Sequence, residues 1–122
     1  MNDDDNWKEI ESLNWAKDCD YERIQHELAL DPVKRERLRE FVHRKKEEMY
    51  ALLATLVPHS PRDLFCNTRM DSLDDAIVHT IGLGRESFEA ALGDPELLRM
   101  RWENNDYRES FVYAFLEPLI PS

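Results

Sequence analysis

The sequence predicts an all-α fold: a compact, single-domain bundle of about six helices around one long central helix. Two observations support it. The chain contains only three glycines and six prolines, which lie between long helix-permissive segments, and its apolar side chains recur every three or four residues. Glycine and proline interrupt helices, whereas a period of three to four places apolar side chains on one helix face. No internal repeat or flexible linker divides 1–122, so we expect one domain.

The first 31 residues predict two helices. The acidic start provides caps for the first helix, and Asp20 is a capping residue that opens the second. The apolar residues at helical spacing are Trp7, Ile10 and Leu13 in the first helix and Tyr21, Ile24 and Leu28 in the second.

The long central helix is predicted from Asp31 and Pro32 to about Leu56. Asp31 is an N-cap acceptor, and Pro32 occupies the first helical position, where its missing N–H leaves no bond unmade. Val57 followed by Pro58 ends the helix. Its apolar stripe consists of Leu38, Phe41, Val42, Met49, Leu52, Leu53 and Leu56.

Two further helices are predicted between 60 and 81. Ser60 and Pro61 repeat the cap and proline pattern for a short helix that ends near Asn67. Asp71 then begins a helix with one apolar face. That face carries Leu73, Ala76, Ile77, Thr80 and Ile81.

Glycines separate the helices of the second half. The segment 82–84, Gly-Leu-Gly, breaks the helix that begins at Asp71. A helix over 85–92 follows, and Gly93 is predicted to end it in the left-handed conformation, which glycine adopts without steric strain. The pair 94–95, Asp-Pro, starts the next helix at once.

A last helix is predicted before Pro118. The polar segment 103–106 forms a turn ahead of it. The helix carries Tyr107, Phe111, Ala114 and Phe115.

The tryptophans and cysteines are expected to serve the core. Trp7, Trp15 and Trp102 could build an aromatic pocket, but tryptophan in a small helical domain is more often a core residue. Cys19 and Cys66 stand alone, without C-x-x-C spacing, so we interpret both as small, buried apolar residues rather than as a disulfide or a reactive thiol.

The net charge of −10 narrows the classes of partner. Such a charge repels nucleic-acid phosphates and anionic lipids at long range. The apolar stretches are far shorter than the roughly 20 residues that a membrane span requires, and the acidic start is unlike the basic head of a signal peptide. We therefore expect a cytoplasmic protein with a protein partner, and neither membrane nor nucleic acid as the default ligand.

Positive charge is concentrated in the first half of the long helix. Residues 1–31 carry a charge of −7, residues 34–46 carry +5, and residues 47–122 carry −8. The basic residues of the middle segment are Lys34, Arg35, Arg37, Arg39, Arg44, Lys45 and Lys46. They could bind a phosphate or an acidic partner. We favour a solvated face that pairs with acidic helices, because no aromatic residues alternate with these cations as a single-strand stacking platform requires.

No motif for a common enzyme or cofactor site occurs, so no cofactor is predicted. A metal site is one hypothesis that the sequence leaves open. Glu40 and His43 share one helix face, and Asp75 and His79 share another, so two facing helices could hold a metal. A di-iron bundle requires Glu-x-x-His twice, and the second motif is missing. We therefore favour histidines at the surface or at the edge of the core.

The segment 71–98 contains the run I-x-x-G-R-E-x-F-E-A-A-L-x-D-P-x-x-L. Its residues are Ile81, Gly84, Arg85, Glu86, Phe88, Glu89, Ala90, Ala91, Leu92, Asp94, Pro95 and Leu98. The run resembles a bacterial helical family described only as a domain of unknown function, number 4240. The resemblance implies a helical bacterial domain and transfers no catalytic residues.

These observations favour a non-enzymatic, acidic protein-interaction module. Immunity proteins, antitoxins, inhibitors and regulatory subunits are examples of such modules, and electrostatic attraction would steer this one to a basic partner. The alternative is a metal-dependent helical-bundle enzyme with the carboxylate and histidine site above. A weaker third hypothesis has the basic helix bind nucleic acid or a nucleotide. The long amphipathic helix can face its own bundle or a second copy, which leaves a homo-oligomer open.

Overall fold

The computed structural model of the protein describes residues 3–56, 70–104 and 109–115. The α-helices are α1 (Asp3–Ser12), α2 (Trp15–Asp18), α3 (Tyr21–Ala29), α4 (Pro32–Leu56), α5 (Met70–Gly82), α6 (Arg85–Gly93) and α7 (Pro95–Glu103), and a 3-10 helix (Glu109–Phe115) follows. No strand occurs within those ranges, which confirms the predicted all-α bundle. The predicted short helix over 60–67 lies outside the described residues.

Helices α3 and α4 begin where the sequence predicts. The Asp20 carboxylate accepts hydrogen bonds from the backbone N–H groups of Glu22 and Arg23, and the Asp31 carboxylate accepts one from Lys34. These bonds satisfy N–H groups that have no partner within their own helix. Local sequence chemistry therefore sets both starts, and α4 runs to Leu56 as predicted.

The single turn α2 was not predicted. Asn14 and Cys19 flank it with φ angles of 57° and 52°, in the left-handed region that non-glycine residues seldom occupy. The turn places Trp15 in the core with no exposed surface. Arg23 holds it from α3, because its guanidinium donates to the Leu13 carbonyl at 2.9 Å and pairs with Asp18 at 3.0 Å.

The long helix α4 packs against α1, α3, α5 and the 3-10 helix, in agreement with its predicted central position. Helix α5 is the more enclosed of the two, since every residue from Ala76 to Gly82 is buried. Gly82 permits a close approach: a Cβ there would lie 2.6 Å from Trp15 and 3.0 Å from Phe111. Gly82, which the sequence predicts to break the helix, is thus its last residue, and the packing of Trp15 and Phe111 requires a residue without a side chain there.

The predicted left-handed end at Gly93 is wrong. Gly93 is the last residue of α6, and the cap is Asp94, with an extended φ of −144°. Proline disfavours the helical conformation in the residue before it, so Pro95 ends α6 at Asp94. The Asp94 carboxylate also caps α7 by accepting the N–H of Glu96 at 3.2 Å. The glycine with positive φ is Gly84, at 118°.

The C-terminal helical segment is a 3-10 helix, and it completes the core. Phe111, Ala114 and Phe115 are buried, as predicted, while Tyr107 lies outside the described residues. The Phe111 ring lies 4.9 Å from Trp15 and 5.2 Å from Phe115, measured between ring centroids. Aromatic contacts at this range contribute beyond area burial alone.

Trp7 and Trp15 are core residues, which confirms the prediction for these two. Cys19 is half-buried and packs against the core. The side chain of Trp102 and the whole of Cys66 lie outside what the structure describes.

Candidate functional site

The basic residues of α4 lie on two opposite sides of its buried stripe. An α-helix turns by about 100° per residue, so residues 37 and 44 share one side, while residues 39, 43 and 46 share the other. The first side faces α1, and the second borders α5 and the 3-10 helix. The predicted basic patch is therefore not one continuous surface.

The side of α4 that faces α1 is occupied by ion pairs. Arg37 pairs with Glu9, and the Asp3 carboxylate binds both Arg44, at 3.4 Å, and Lys45, at 3.1 Å. These contacts join two helices that are separate in sequence. The cations on this side have a structural role, as the interpretation we favoured from the sequence proposed.

Lys45 is the most buried cation of this group. Its side chain is 13% exposed, its ammonium pairs with Glu48 as well as with Asp3, and it lies 5.6 Å from the centre of the Phe41 ring. Burial lowers the pKa of Lys45, but the hydrogen bonds to Glu48 and Asp3 outweigh it and hold the pKa above its ordinary value. Hydrogen bonding to Lys45 lowers the pKa of Asp3 below its ordinary value.

The opposite side of α4 lines a small cavity of about 120 Å³. Arg39, His43 and Lys46 line it, one from each of three successive turns of α4. The remaining lining residues are apolar and come from α4, α5 and the 3-10 helix. They are Val42, Val78 and Phe115.

Carboxylates pair with the first and the last of these three residues. Arg39 pairs with Glu36 at 3.3 Å within α4, and Lys46 pairs with Asp74 of α5 at 3.4 Å. The Tyr50 hydroxyl donates to the same Asp74 carboxylate at 2.9 Å. Burial, followed by this hydrogen bond, raises the pKa of Tyr50 above its ordinary value.

Lys34 and Arg35 belong to neither group. Both are partly exposed and lie in the first turn of α4. The seven predicted binding residues thus form three sets. They are a clamp that pairs with α1 (Arg37, Arg44 and Lys45), a cavity wall (Arg39 and Lys46) and the helix start (Lys34 and Arg35). The cavity wall is the set that remains a candidate site.

The metal hypothesis finds no support in the structure. Glu40 and His43 are exposed on α4, Asp75 is half-buried on α5, and His79 is buried in the core with 5% of its surface exposed. Among the described residues, which include these four, no group of three His, Cys, Asp or Glu side chains could hold a metal ion. The two predicted pairs therefore do not form one site.

His79 has a structural reason to be in the core. The indole N–H of Trp15 donates to Nδ1 of His79 at 3.0 Å. Because an indole nitrogen can only donate, Nδ1 must be the unprotonated acceptor, and its lone pair is occupied. The bond links α2 to α5 across 64 residues of sequence.

A second concave surface lies between α6 and α7, and sequence reasoning did not find it. Leu97 and Met100 are 45% and 55% exposed beside a groove of about 300 Å³. The groove is lined by Thr80, Ser87, Ala90, Ala91, Leu97, Leu98, Met100, Arg101 and Asn104. Of the adjacent leucines, Leu98 faces the core and Leu97 faces outward, a choice that depends on how α7 docks.

Comparisons of the chain with models of protein families, with curated proteins and with solved structures find no match. The resemblance of 71–98 to domain of unknown function 4240 therefore stays a prediction. Within the described ranges, no helix has the length and apolar character needed to cross a membrane.

Proposed function

We propose that this chain is a non-enzymatic protein-interaction module that binds a basic macromolecular partner in the cytoplasm. Immunity proteins, antitoxins, inhibitors and regulatory subunits are examples of interaction modules. The observation that carries the proposal is that internal ion pairs engage much of the positive charge, which leaves surplus carboxylates on the surface.

Eight lysine and arginine side chains form ion pairs with carboxylates in the described part of the chain. They are Arg23, Arg37, Arg39, Arg44, Lys45, Lys46, Arg85 and Arg99. Carboxylates outnumber cations by ten in the full sequence, so the surplus is negative. Within the described ranges, exposed carboxylates without an ion pair include Glu22, Glu40, Glu47 and Glu86. Such a surface attracts cations and raises the rate of encounter with a basic partner.

The groove between α6 and α7 supports the proposal with apolar surface. Charge alone steers association, whereas burial of apolar side chains provides a large share of affinity. Leu97 and Met100 lie one turn apart at the groove, and Glu86 is exposed on the neighbouring helix α6. A basic partner segment that carries apolar side chains fits this combination.

The proposal is tested by isolating a partner from the native host, identifying it and titrating it in purified form. We expect affinity to fall at least about tenfold between low and high salt, because exposed charges are screened beyond roughly 10 Å at 0.1 M salt. The double variant Leu97→Ser and Met100→Ser should weaken binding at both salt concentrations.

Leu30→Ser is the matched control, because Leu30 is 87% exposed but lies at the turn between α3 and α4. It should bind as the wild type does. A partner whose affinity ignores ionic strength, or that binds the Leu97 and Met100 variant as tightly as the control, would contradict the proposal.

A further inference from the structure

We propose that the cavity between α4, α5 and the 3-10 helix binds a small organic oxyanion, a phosphate or carboxylate group attached to a short apolar group. This site is separate from the groove between α6 and α7, and the inference does not depend on the proposed partner. The inference is based on a cavity that Arg39, His43 and Lys46 line together with three apolar residues, which we call its floor.

Three of the six residues that line the cavity carry hydrogen-bond donors in their side chains. A guanidinium has five N–H groups and an ammonium has three, and an imidazole has at least one N–H in either of its forms. Arg39 and Lys46 contact Glu36 and Asp74 at 3.3 Å and 3.4 Å, longer than the 2.7–2.9 Å of a strong charge-assisted hydrogen bond. Both cations therefore have donors left for an oxyanion in the cavity.

The carboxylates at either end are partly solvated. The Glu36 and Asp74 side chains are 54% and 40% exposed, so both remain in contact with water. The Arg39 pair is exposed at both partners, and such pairs contribute little because each partner is well solvated alone. Lys46 is only 23% exposed, so its pair with Asp74 is partly buried. An anion in the cavity would therefore replace the weak Arg39 pair and share the Lys46 ammonium with Asp74, since an ammonium has three donors.

The floor gives the ligand its apolar part. Val42, Val78 and Phe115 are at most 4% exposed, so they form a buried base rather than a surface patch. Because so little of this base is exposed to water, a ligand group inside the cavity gains mainly dispersion contacts with it. A bare anion makes few such contacts, so we expect an anionic group joined to an apolar one.

The volume limits the size of the ligand. Drug-sized ligands and cofactors occupy pockets of roughly 300–1,000 Å³, whereas this cavity measures about 120 Å³. It has room for several waters, since one water requires roughly 10–15 Å³ measured in this way. A nucleotide is too large, and one oxyanion with a ring or a short chain is the appropriate size.

The test is a titration of the full chain with phenyl phosphate, followed by NMR chemical shifts at low salt. We expect saturable shifts at the backbone amides of Val42, His43 and Val78. Inorganic phosphate should bind more weakly because it makes few contacts with the floor. Neutral benzyl alcohol should also bind more weakly, because it carries no negative charge. Benzoate, which presents a carboxylate, distinguishes the two kinds of oxyanion.

The variants are Arg39→Gln and Lys46→Gln, each expected to weaken phenyl phosphate about tenfold, a typical effect of removing one charge-assisted contact. Arg99→Gln is the matched control, because Arg99 also pairs with a glutamate three residues earlier, Glu96, at 3.3 Å. Circular dichroism establishes that each variant is folded.

Three results would overturn the inference. One is the absence of saturable shifts at the cavity in the wild type, which requires no variant. Another is benzyl alcohol binding as tightly as phenyl phosphate, and the last is Arg99→Gln weakening binding as much as Arg39→Gln. None of these outcomes bears on partner binding through the groove between α6 and α7.

Discussion

The two sides of α4 use the same residue types for different purposes. On the side facing α1, Arg37, Arg44 and Lys45 are bound to carboxylates of another helix. On the opposite side, Arg39 pairs with Glu36 within α4 and Lys46 pairs with Asp74 of α5, and both cations border a cavity. The difference shows that a cation's role depends on what docks beside it, and not on the local density of positive charge.

Helix α1 makes the clamped side possible. Its carboxylates contact α6 as well as α4: Asp4 pairs with Arg85, and the Glu11 carboxylate accepts the backbone N–H of Arg85 at 2.9 Å. A carboxylate at a helix N-terminus also interacts favourably with the helix dipole. The acidic N-terminal segment thus acts as an internal counterion for both helices.

The largest expected effect separates the two histidines that the metal hypothesis grouped. His79→Ala should reduce the free energy of unfolding by about 2–4 kcal/mol, because it leaves the buried Trp15 N–H without its acceptor and opens a cavity. His43→Ala, at an exposed position, should change it by no more than about 0.5 kcal/mol. Urea unfolding monitored by tryptophan fluorescence measures both. An equal loss of unfolding free energy in the two variants would contradict this distinction between a buried and an exposed histidine.

A smaller effect is expected on the stability of the protein at low pH, through the ion pairs between α1 and α4. The pKa of Asp3 is lowered in the folded state, so its contribution to stability is complete above the ordinary value of 3.8 and is lost as pH falls through the lowered value. Asp3→Asn should therefore destabilise the protein at pH 7 and differ little from the wild type near pH 2.

Urea unfolding at several pH values between 7 and 2 provides the measurement. Glu22→Gln is the control, because Glu22 is exposed and has no ion pair among the described residues. It should leave the pH profile nearly unchanged. A gap between wild type and Asp3→Asn that stays constant with pH would contradict the assignment of this ion pair.

Local patterns were enough to predict much of the fold. Asp20, Asp31 and Pro32 act within one or two turns of their own position, so their capping roles follow from neighbouring residues alone. The apolar stripe of α4 follows from its period. Asn14 and Cys19 could not be predicted in the same way, because their left-handed conformations serve the insertion of Trp15 into a core built from distant segments.

The candidate site was predictable only in part. Arg39 and Lys46 were identified as cations, and their spacing with His43 on one helix side was available in the sequence. The sequence did not show which cations pair with α1 and which line the cavity, because that depends on which side of α4 packs against α1. Val78 and Phe115 reach the same cavity from segments remote in sequence, and no local pattern reveals that meeting.

Adjacent lysines test the division of α4 most directly. Lys45→Gln and Lys46→Gln are compared for stability, by urea unfolding, and for affinity, by titration with phenyl phosphate. Lys45→Gln should lose about 1–2 kcal/mol of stability, as expected for a partly buried ion-paired side chain, and keep its affinity. Lys46→Gln should bind about tenfold more weakly and lose less than half as much stability. The reverse pattern, or the same pair of effects in both variants, would contradict the account.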